Sequence, residues 1–326
     1  MSKMILGIDT SCYTSSLCLT DLSGCLLADV RRVLKVKNGE RGLRQSEMVF
    51  QHSRNLPELW QQAWEIAGPD ISLAAVGVSV SPRPCGDSYM PAFLVGSGYA
   101  QVTALCQQLP LYRLSHQENH ICAGLWSADG PTDPEYLALH LSGGTTELVH
   151  VKQEEHTMKL QLLGGSCDLH AGQLVDRIGV LLQLGFPAGP AMETLAADSS
   201  GPEKPFPVAV QGMDVSFAGP ENHAKKLLIQ KVNPAVIAAG VQQCIAKSIT
   251  KMIFRGIKET GLRQVLLVGG VMSNQYIRCE LKNGLETTDK VKLFFPQPAY
   301  SSDNAVGAAA YALRRYVRLE ANPAGE

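Results

Sequence analysis

Two stretches of this 326-residue chain are written in the same grammar about 135 residues apart. Met4 to Asp21 runs from β-favouring apolar residues through a centre of small hydroxylated ones (GIDTSCYTSSLCLTD) into a second β-favouring run. Tyr136 to Val151 repeats the pattern as YLALHLSGGTTELVHV, with a Ser-Gly-Gly-Thr-Thr turn at Ser142 to Thr146. Each copy reads as strand, tight turn, strand. A repeat this long is no solenoid period; it describes a duplicated lobe, so two related halves are expected.

Around the copies, Gln45 to Ala67 carries Met48, Leu56, Leu59 and Ala63 at helical spacing, and Ala74 to Val80 is a short buried-strand run. A helix is expected over Tyr89 to Gln107, then a brief strand over Leu111 to Leu114. The next helix opens at Ser115, whose spacing to Glu118 matches a capping box. Further on, helices are expected near Ala171 to Leu184, through much of Glu221 to Thr260, and from Asn304 to Arg318 behind the capping sequence Ser301-Ser302-Asp303. Gly185-Phe186-Pro187 and the polar stretch Ala197 to Asp214 read as connections, and Gln264 to Gly270 as a buried strand running into a Gly-Gly turn. Strands alternating with helices, plus two hairpins, place the chain in the α/β class with mixed sheets.

Composition narrows the function. With 29 Lys+Arg against 30 Asp+Glu the net charge is −1, so no global positive field draws the chain to nucleic acid, and RNA binding needs a local patch or a partner. Nine cysteines without a C-x-x-C pair argue against a disulfide framework or zinc knuckle and fit a reducing cytoplasm. Cys12 and Cys85 adjoin candidate loops but have no base nearby in sequence, so both read as structural thiols. No apolar run approaches the roughly 18 residues of a membrane span, and the run before Asp9 is too short for a signal peptide. A cytoplasmic protein without membrane attachment is expected.

The sharpest local motif is His116-x-x-x-His120 on an expected helix, because a spacing of four puts both imidazoles on one face, close enough to share a metal. Glu118 lies off that face, so the H-E-x-x-H protease pattern is absent. Two ordinary surface or capping histidines are the plain alternative. A third ligand must come from elsewhere, and Asp303, at a strand-to-helix turn, is a candidate. The turns at Thr10 to Ser16 and at Ser142, Gly143 and Gly144 gather small residues with free backbone N–H groups, which suit a phosphate chain. Gly269 and Gly270 ahead of Asn274 permit close approach of an adenosine; tight turns without a ligand are the alternative. Asp168 and Asp176 lie eight apart, and Asp176, if helical, can accept from ribose hydroxyls or else sits on a solvated helix face. Gly189, between two prolines, suits backbone packing against a ligand or a plain loop.

These residues occur in one order that resembles a known family. GIDTS at Gly7, HQENH at His116, LSGG at Leu141, DLHAGQLVDR at Asp168, GFPAGPAMETLA at Gly185, VSFAG at Val215, VGGVMSN at Val268 and SSDNAVGAAA at Ser301 look like the tRNA threonylcarbamoyladenosine transferase family, formerly the glycoprotease or O-sialoglycoprotein endopeptidase family. The likeness spans nearly the whole chain. It implies an actin-like ATPase fold (that of sugar kinases and heat-shock chaperones), with two related lobes of mixed β-sheet about a cleft. Residues 1–110 plus 304–326 would form the first lobe, and 111–303, with metal and nucleotide motifs, the second. It implies one divalent metal, iron or zinc, held by His116, His120 and Asp303. It also implies a nucleotide, as ATP, AMP or threonylcarbamoyl-adenylate, contacted at Asp168, Gly172, Asp176, Gly189 and Asn274. The implied reaction moves threonylcarbamoyl from its adenylate to N6 of the adenine at position 37 of tRNA, alongside helper proteins or a homodimer formed through the N-terminal lobe. Peptidase activity lacks both H-E-x-x-H and a general base.

The departures cluster around the reacting group. The family's Ser-Cys-Asp-Glu-Thr carries Tyr13 and Thr14 in place of the acidic pair, so no catalytic residue is assigned there. Its Ser-Gly-Gly-His-Thr has Thr145 in place of His, its Ala-Gly-Glu has Gln173, its Gly-Pro-Gly loop is rewritten from Ser81 to Cys85, and its Ser-Gly-Leu-Lys reads Ala218 to Glu221. A divergent paralogue that binds a nucleotide and serves as a partner or regulator is the competing expectation.

Overall fold

The first copy of the repeat builds the centre of a sheet. In the computed structural model, which describes residues 1–37, 42–154, 157–199, 201, 204–286 and 291–321, β1 (Ser2–Asp9) and β2 (Thr14–Asp21) pair antiparallel with Leu6 opposite Leu19. β3 (Leu26–Val33) extends the hairpin on one side, while β4 (Ile71–Ser81) and β5 (Leu111–Ser115) add parallel strands on the other, giving the order β3-β2-β1-β4-β5. Alternation sends Leu6, Ile8, Leu17 and Leu19 to one face. There they meet Leu56, Leu59 and Ala63 of helix α1 (Gln45–Ala67) and Ala100 and Ala104 of α2 (Phe93–Gln107) in one buried cluster. Each fully buried Leu in that cluster stabilises the fold by about 1.5–3 kcal/mol relative to exposure.

The opposite face takes a helix at very short range, and two paired glycines make that possible. Gly7 and Gly77 lie opposite each other on β1 and β4, and a Cβ there would meet Ala305 O at 2.3 Å and Ala308 O at 2.1 Å. The last helix therefore seats its small residues against bare backbone.

Chain positions 111–127 belong with this first unit, not with the second half as the sequence reading divides them. β5 pairs with β4, Val76 opposite Leu111, and the helix that follows, α3 (His116–Ser127), packs with the last helix. The first unit accordingly comprises Met1–Lys35, Leu43–Ser127 and the stretch from Asp303, so the expected break between 110 and 111 falls after Ser127. Strand pairing, which spacing along the chain does not show, decides the boundary.

The second unit, Ala128–Ser302, repeats the topology. β6 (Glu135–Leu141), β7 (Thr146–Gln153) and β8 (Met158–Gly165) form the antiparallel meander, with β11 (Gln264–Val268) and β12 (Lys292–Phe294) parallel beyond β6. Its order, β12-β11-β6-β7-β8, is the first sheet's order strand for strand, read from the other edge. β9 (Ala209–Gln211) and β10 (Asp214–Ser216) make a separate hairpin. Its helices are α4 (Ala171–Leu181), α5 (Gly189–Ala197), α6 (Ala218–Ile229), α7 (Pro234–Thr260) and α8 (Gln275–Leu281). In α7 Asn233 accepts from Ala235 N at 2.9 Å, Pro234 opens the first turn and Gly261 at φ 74° ends it.

Several local expectations shift. The polar stretch from Ala197 contains β9, while residues 200, 202 and 203 lie outside the described residues. The helix expected from Tyr89 starts at Phe93, and the one expected from Asn304 is α9 (Val306–Ala321), capped by Asn304, whose Oδ1 accepts from Val306 N at 2.9 Å. No helix among the described residues is long and apolar enough to cross a membrane.

Candidate functional site

α3 leaves β5 without a linker, and the expected capping box forms. Ser115 N donates to Glu118 Oε2 at 2.7 Å and Glu118 N donates to Ser115 Oγ at 3.2 Å, which commits Glu118 to the helix end. One turn apart on the buried face, the Nε2 atoms of His116 and His120 lie 3.1 Å from each other. Asp303 Oδ1 stands 3.6 Å from His116 Nε2 and 3.4 Å from His120 Nε2. The spacing motif and the distant aspartate thus converge on one point, and all three belong to the first unit.

Two further residues stand at this point: Asp9, which the sequence reading does not assign, and Cys12, which it takes as a structural thiol. Asp9, at the end of β1, places Oδ1 3.6 Å from His116 Nδ1 and accepts from Ser11 Oγ through Oδ2. The Oδ1 atom is fully buried, and among the described residues no donor sits at ordinary hydrogen-bond distance from it. The carboxylate therefore faces the nitrogen of His116 that is turned away from His120 and Asp303, the arrangement that fixes tautomer and ring orientation in histidine metal ligands. Cys12, in the turn after β1, completes a group with His116 and Asp303 whose ligand atoms all lie within 4.8 Å of one another. The only hint in the sequence was that GIDTSC ends a strand beside a turn.

Charges in this pocket are strongly coupled. Burial works against a charged His116, but the Asp9 carboxylate beside its Nδ1, with the charge of Asp303, holds its pKa above the ordinary value. Burial and the neighbouring His116 push His120 down. Burial would raise Asp303, yet the hydrogen bond from His120 and the two imidazoles keep it below the usual carboxylate range. Burial, then the Asp303 and Asp9 charges, push the Cys12 thiol well up. A 3.1 Å Nε2–Nε2 separation suits either a shared proton or an ion. Bonds of about 2.0–2.2 Å in a tetrahedral site set N/O donors roughly 3.3 Å apart, close to the three separations seen here. Two imidazoles and a carboxylate, with a second carboxylate behind one ring, fit a first-row divalent metal.

The second unit gathers most of the expected nucleotide residues. The turn between β6 and β7 is closed by Ser142 N donating to Thr145 O at 2.8 Å. α4 begins against this turn: Gly172 N donates to Ser142 O at 3.2 Å, and a Cβ on Gly172 would meet that oxygen at 2.6 Å and Gly143 N at 2.7 Å. One turn further, Asp176 directs Oδ2 toward Gly143, 4.0 Å from where a Cβ would stand, and its Oδ1 accepts from Ala188 N at 2.8 Å, next to Gly189. Burial raises the Asp176 pKa. Gly269, at φ 99° beyond β11, lies against Leu141 O, where a Cβ would come to 2.2 Å, while Gly143, Gly144, Gly189 and Gly270 keep open space on their Cβ sides apart from that carboxylate. Because β6 and β11 are parallel neighbours, the two glycine turns emerge side by side at the carboxyl ends of adjacent strands, the usual place for a ligand in an α/β sheet.

Two residues of the expected set are engaged otherwise. Asp168 accepts from Ser216 Oγ at 2.5 Å, Phe217 N at 2.8 Å and Ala218 N at 3.4 Å, holding the N-terminus of α6. Asn274 caps α8 by accepting from Ile277 N at 2.9 Å and donates to Gln242 Oε1 at 3.3 Å. Gln173 accepts from His170 N at 3.1 Å, so it closes α4 as a glutamate there would.

A family model described as TsaD, tRNA N6-adenosine threonylcarbamoyltransferase, matches residues 35–310. The chain belongs to that family. The tRNA N6-adenosine threonylcarbamoyltransferase of Thermus thermophilus is 32% identical over 321 residues, covering 96% of this chain and 93% of the relative. That of Aromatoleum aromaticum is 30% identical over 320 residues, covering 95% and 91%. Among solved structures, the activator of the 2-hydroxyisocaproyl-CoA dehydratase from Clostridium difficile with bound ADPNP superposes with a TM-score of 0.57 at 14% identity, covering 98% of this chain and 97% of that one. Such a likeness shows the shared fold, and the two sheets of matching topology are those of the actin-like ATPase fold expected from the sequence. Thr14, in the turn region beside Cys12, is a buried residue of β2 paired with Val33.

Proposed function

We propose that this chain transfers the threonylcarbamoyl group from threonylcarbamoyl-adenylate to N6 of adenosine 37 in tRNA, in the cytoplasm. The observation that carries the reading is the convergence of His116, His120 and Asp303 within 3.6 Å of one another in a chain of this family. In the reaction the adenine N6 forms a bond to the carbamoyl carbon, the bond from that carbon to the phosphate oxygen breaks, AMP leaves, and the amine gives up a proton.

His116, His120 and Asp303 would hold the metal, iron or zinc, with Asp9 orienting His116. The bound metal supplies Lewis-acid polarisation of an oxygen that gains negative charge. The N–H groups of Gly143 and Gly144 would take the phosphate, Gly189 and Gly270 leave room for the nucleoside, and Asp176 would accept from ribose hydroxyls. Asp168 and Asn274 would act through the helix ends they hold. Helper proteins or a second copy would dock on the first unit, where α2 exposes Leu94, Val102 and Leu105 at 58%, 62% and 70%.

The test is direct. Purified protein with threonylcarbamoyl-adenylate and tRNA, with and without candidate helpers, is digested to nucleosides and read by mass spectrometry. Modified adenosine that disappears in His116→Ala is the expected result. No product under conditions where a relative makes it would leave the partner or regulator role in its place.

A further inference from the structure

We propose that Cys12 is a fourth, thiolate ligand of the metal held by His116, His120 and Asp303, which makes the centre selective for a thiophilic divalent ion such as zinc or iron over magnesium. The proposal rests on the metal reading above and sharpens it.

Three observations carry it. First, Cys12 Sγ lies within 4.8 Å of both a His116 ring nitrogen and an Asp303 carboxylate oxygen, and this is the group of metal-ligating side chains found among the described residues. Bonds of about 2.3 Å to sulfur and about 2.0–2.1 Å to nitrogen place S and N donors roughly 3.5 Å apart around a tetrahedral ion, so Cys12 and His120, which stands outside that group, draw together when the ion binds. Second, Cys12 sits at φ 42°, a backbone region that a side chain with a Cβ rarely adopts. Such a conformation persists where surrounding structure over-determines it, and functional sites are where it concentrates.

Third, the turn carrying Cys12 is braced on both sides. Ser11 Oγ donates to Asp9, Leu34 N donates to Tyr13 O at 2.8 Å, and the buried His52 ring pairs with Ser15 Oγ at 2.8 Å. Asn55 Nδ2 in turn donates to Ser15 Oγ at 3.1 Å. The bracing fixes the strained residue with its sulfur at the donor cluster. Of the other cysteines, Cys18, Cys122 and Cys244 are buried and five are exposed.

When the ion binds, the Cys12 S–H bond breaks, a sulfur–metal bond forms and the proton passes to solvent. A soft sulfur donor beside two imidazoles favours zinc, iron or cobalt and gives nothing to magnesium, which prefers an all-oxygen shell.

Metal-free full-length protein titrated with Co²⁺ tests the assignment by absorption spectroscopy. A thiolate-to-cobalt charge-transfer band in the near ultraviolet is expected for the wild type. It should be lost in Cys12→Ser, which keeps visible cobalt bands and binds the ion about 10-fold or more weakly, and be retained in Cys85→Ser. Circular dichroism on Cys12→Ser separates ligand loss from unfolding, and the wild-type spectrum needs no variant at all. Cobalt bound without the band, or a band that survives in Cys12→Ser, overturns the role of Cys12 while leaving the three-ligand site standing. A wild type that takes up neither cobalt nor zinc overturns the metal reading and this proposal with it.

Discussion

Asn119, the residue before His120, donates through Nδ2 to the carbonyl of Asn304, the residue after Asp303, at 2.7 Å. That buried bond ties the segment carrying both histidines to the segment carrying the aspartate across 185 positions of chain. Removing it leaves every ligand in place but frees their separation. For Asn119→Ala the expected outcome is a roughly 10–100-fold loss of zinc affinity, as for other outer-shell partners of metal ligands. A stability loss of about 1–3 kcal/mol should accompany it, because the Asn304 carbonyl loses this buried donor. Chelator competition and thermal melts read the two effects; unchanged affinity in a folded variant would show that the ligands hold their places without this bond.

Gly172 offers a test confined to the second unit. A methyl group there would press on Ser142 O and Gly143 N, both backbone atoms, at 2.6 and 2.7 Å, so the turn must move. Gly172→Ala should therefore lower affinity for AMP or ATP in calorimetry by at least about 10-fold while metal content stays at the wild-type level. Full nucleotide affinity in this variant would remove the Ser142–Gly144 turn from the binding site.

How far these sites were legible in the sequence depended on whether a local pattern carried them. His116 and His120 were, because i and i+4 on a helix fixes their geometry wherever the helix lies. The two hairpins were, because alternation and turn residues lie together along the chain, and the duplication they imply reappears in the matching strand orders. Asp9 and Cys12 were not, since only the pairing of β1 with β4, and of β4 with β5, carries the end of the first strand to α3. The same pairing moved 111–127 into the first unit. The bonds Asp168 accepts were not legible: nothing in the spacing reveals that α6, about fifty residues later, presents its N–H groups to it.

Metal affinity should fall as pH falls, with a sign set by His116. Its pKa lies above the ordinary histidine value because Asp9 and Asp303 outweigh burial, so protons compete with the ion from a pH above about 6.5 downward. Asp9→Asn removes the largest raising influence. The expected result is weaker binding at high pH but a loss on acidification that begins at lower pH than in the wild type. Zinc competition titrations over a pH series measure both; coincident profiles would mean that Asp9 does not govern the His116 proton.

The last prediction separates an architectural role of Asp168 from a ligand-binding one. Burial would raise its pKa, but the hydrogen bonds from Ser216 Oγ and from the N–H groups of Phe217, Leu169 and Ala218 bring it below the usual range. A folded-state pKa lowered in this way contributes stability that is present at neutral pH and is lost as pH falls through the folded value. A negative charge at the start of α6 also opposes the positive end of the helix dipole. Asp168→Ala should cost about 1 kcal/mol at neutral pH, the scale of a lost helix cap, and the gap from the wild type should close in acid as Asp168 itself becomes protonated. Denaturant melts at several pH values test this, with nucleotide affinity measured on the same samples. If affinity collapses while stability stays level, Asp168 contacts the nucleotide and the capping bonds are incidental; if stability falls and affinity follows only weakly, its work is to place α6.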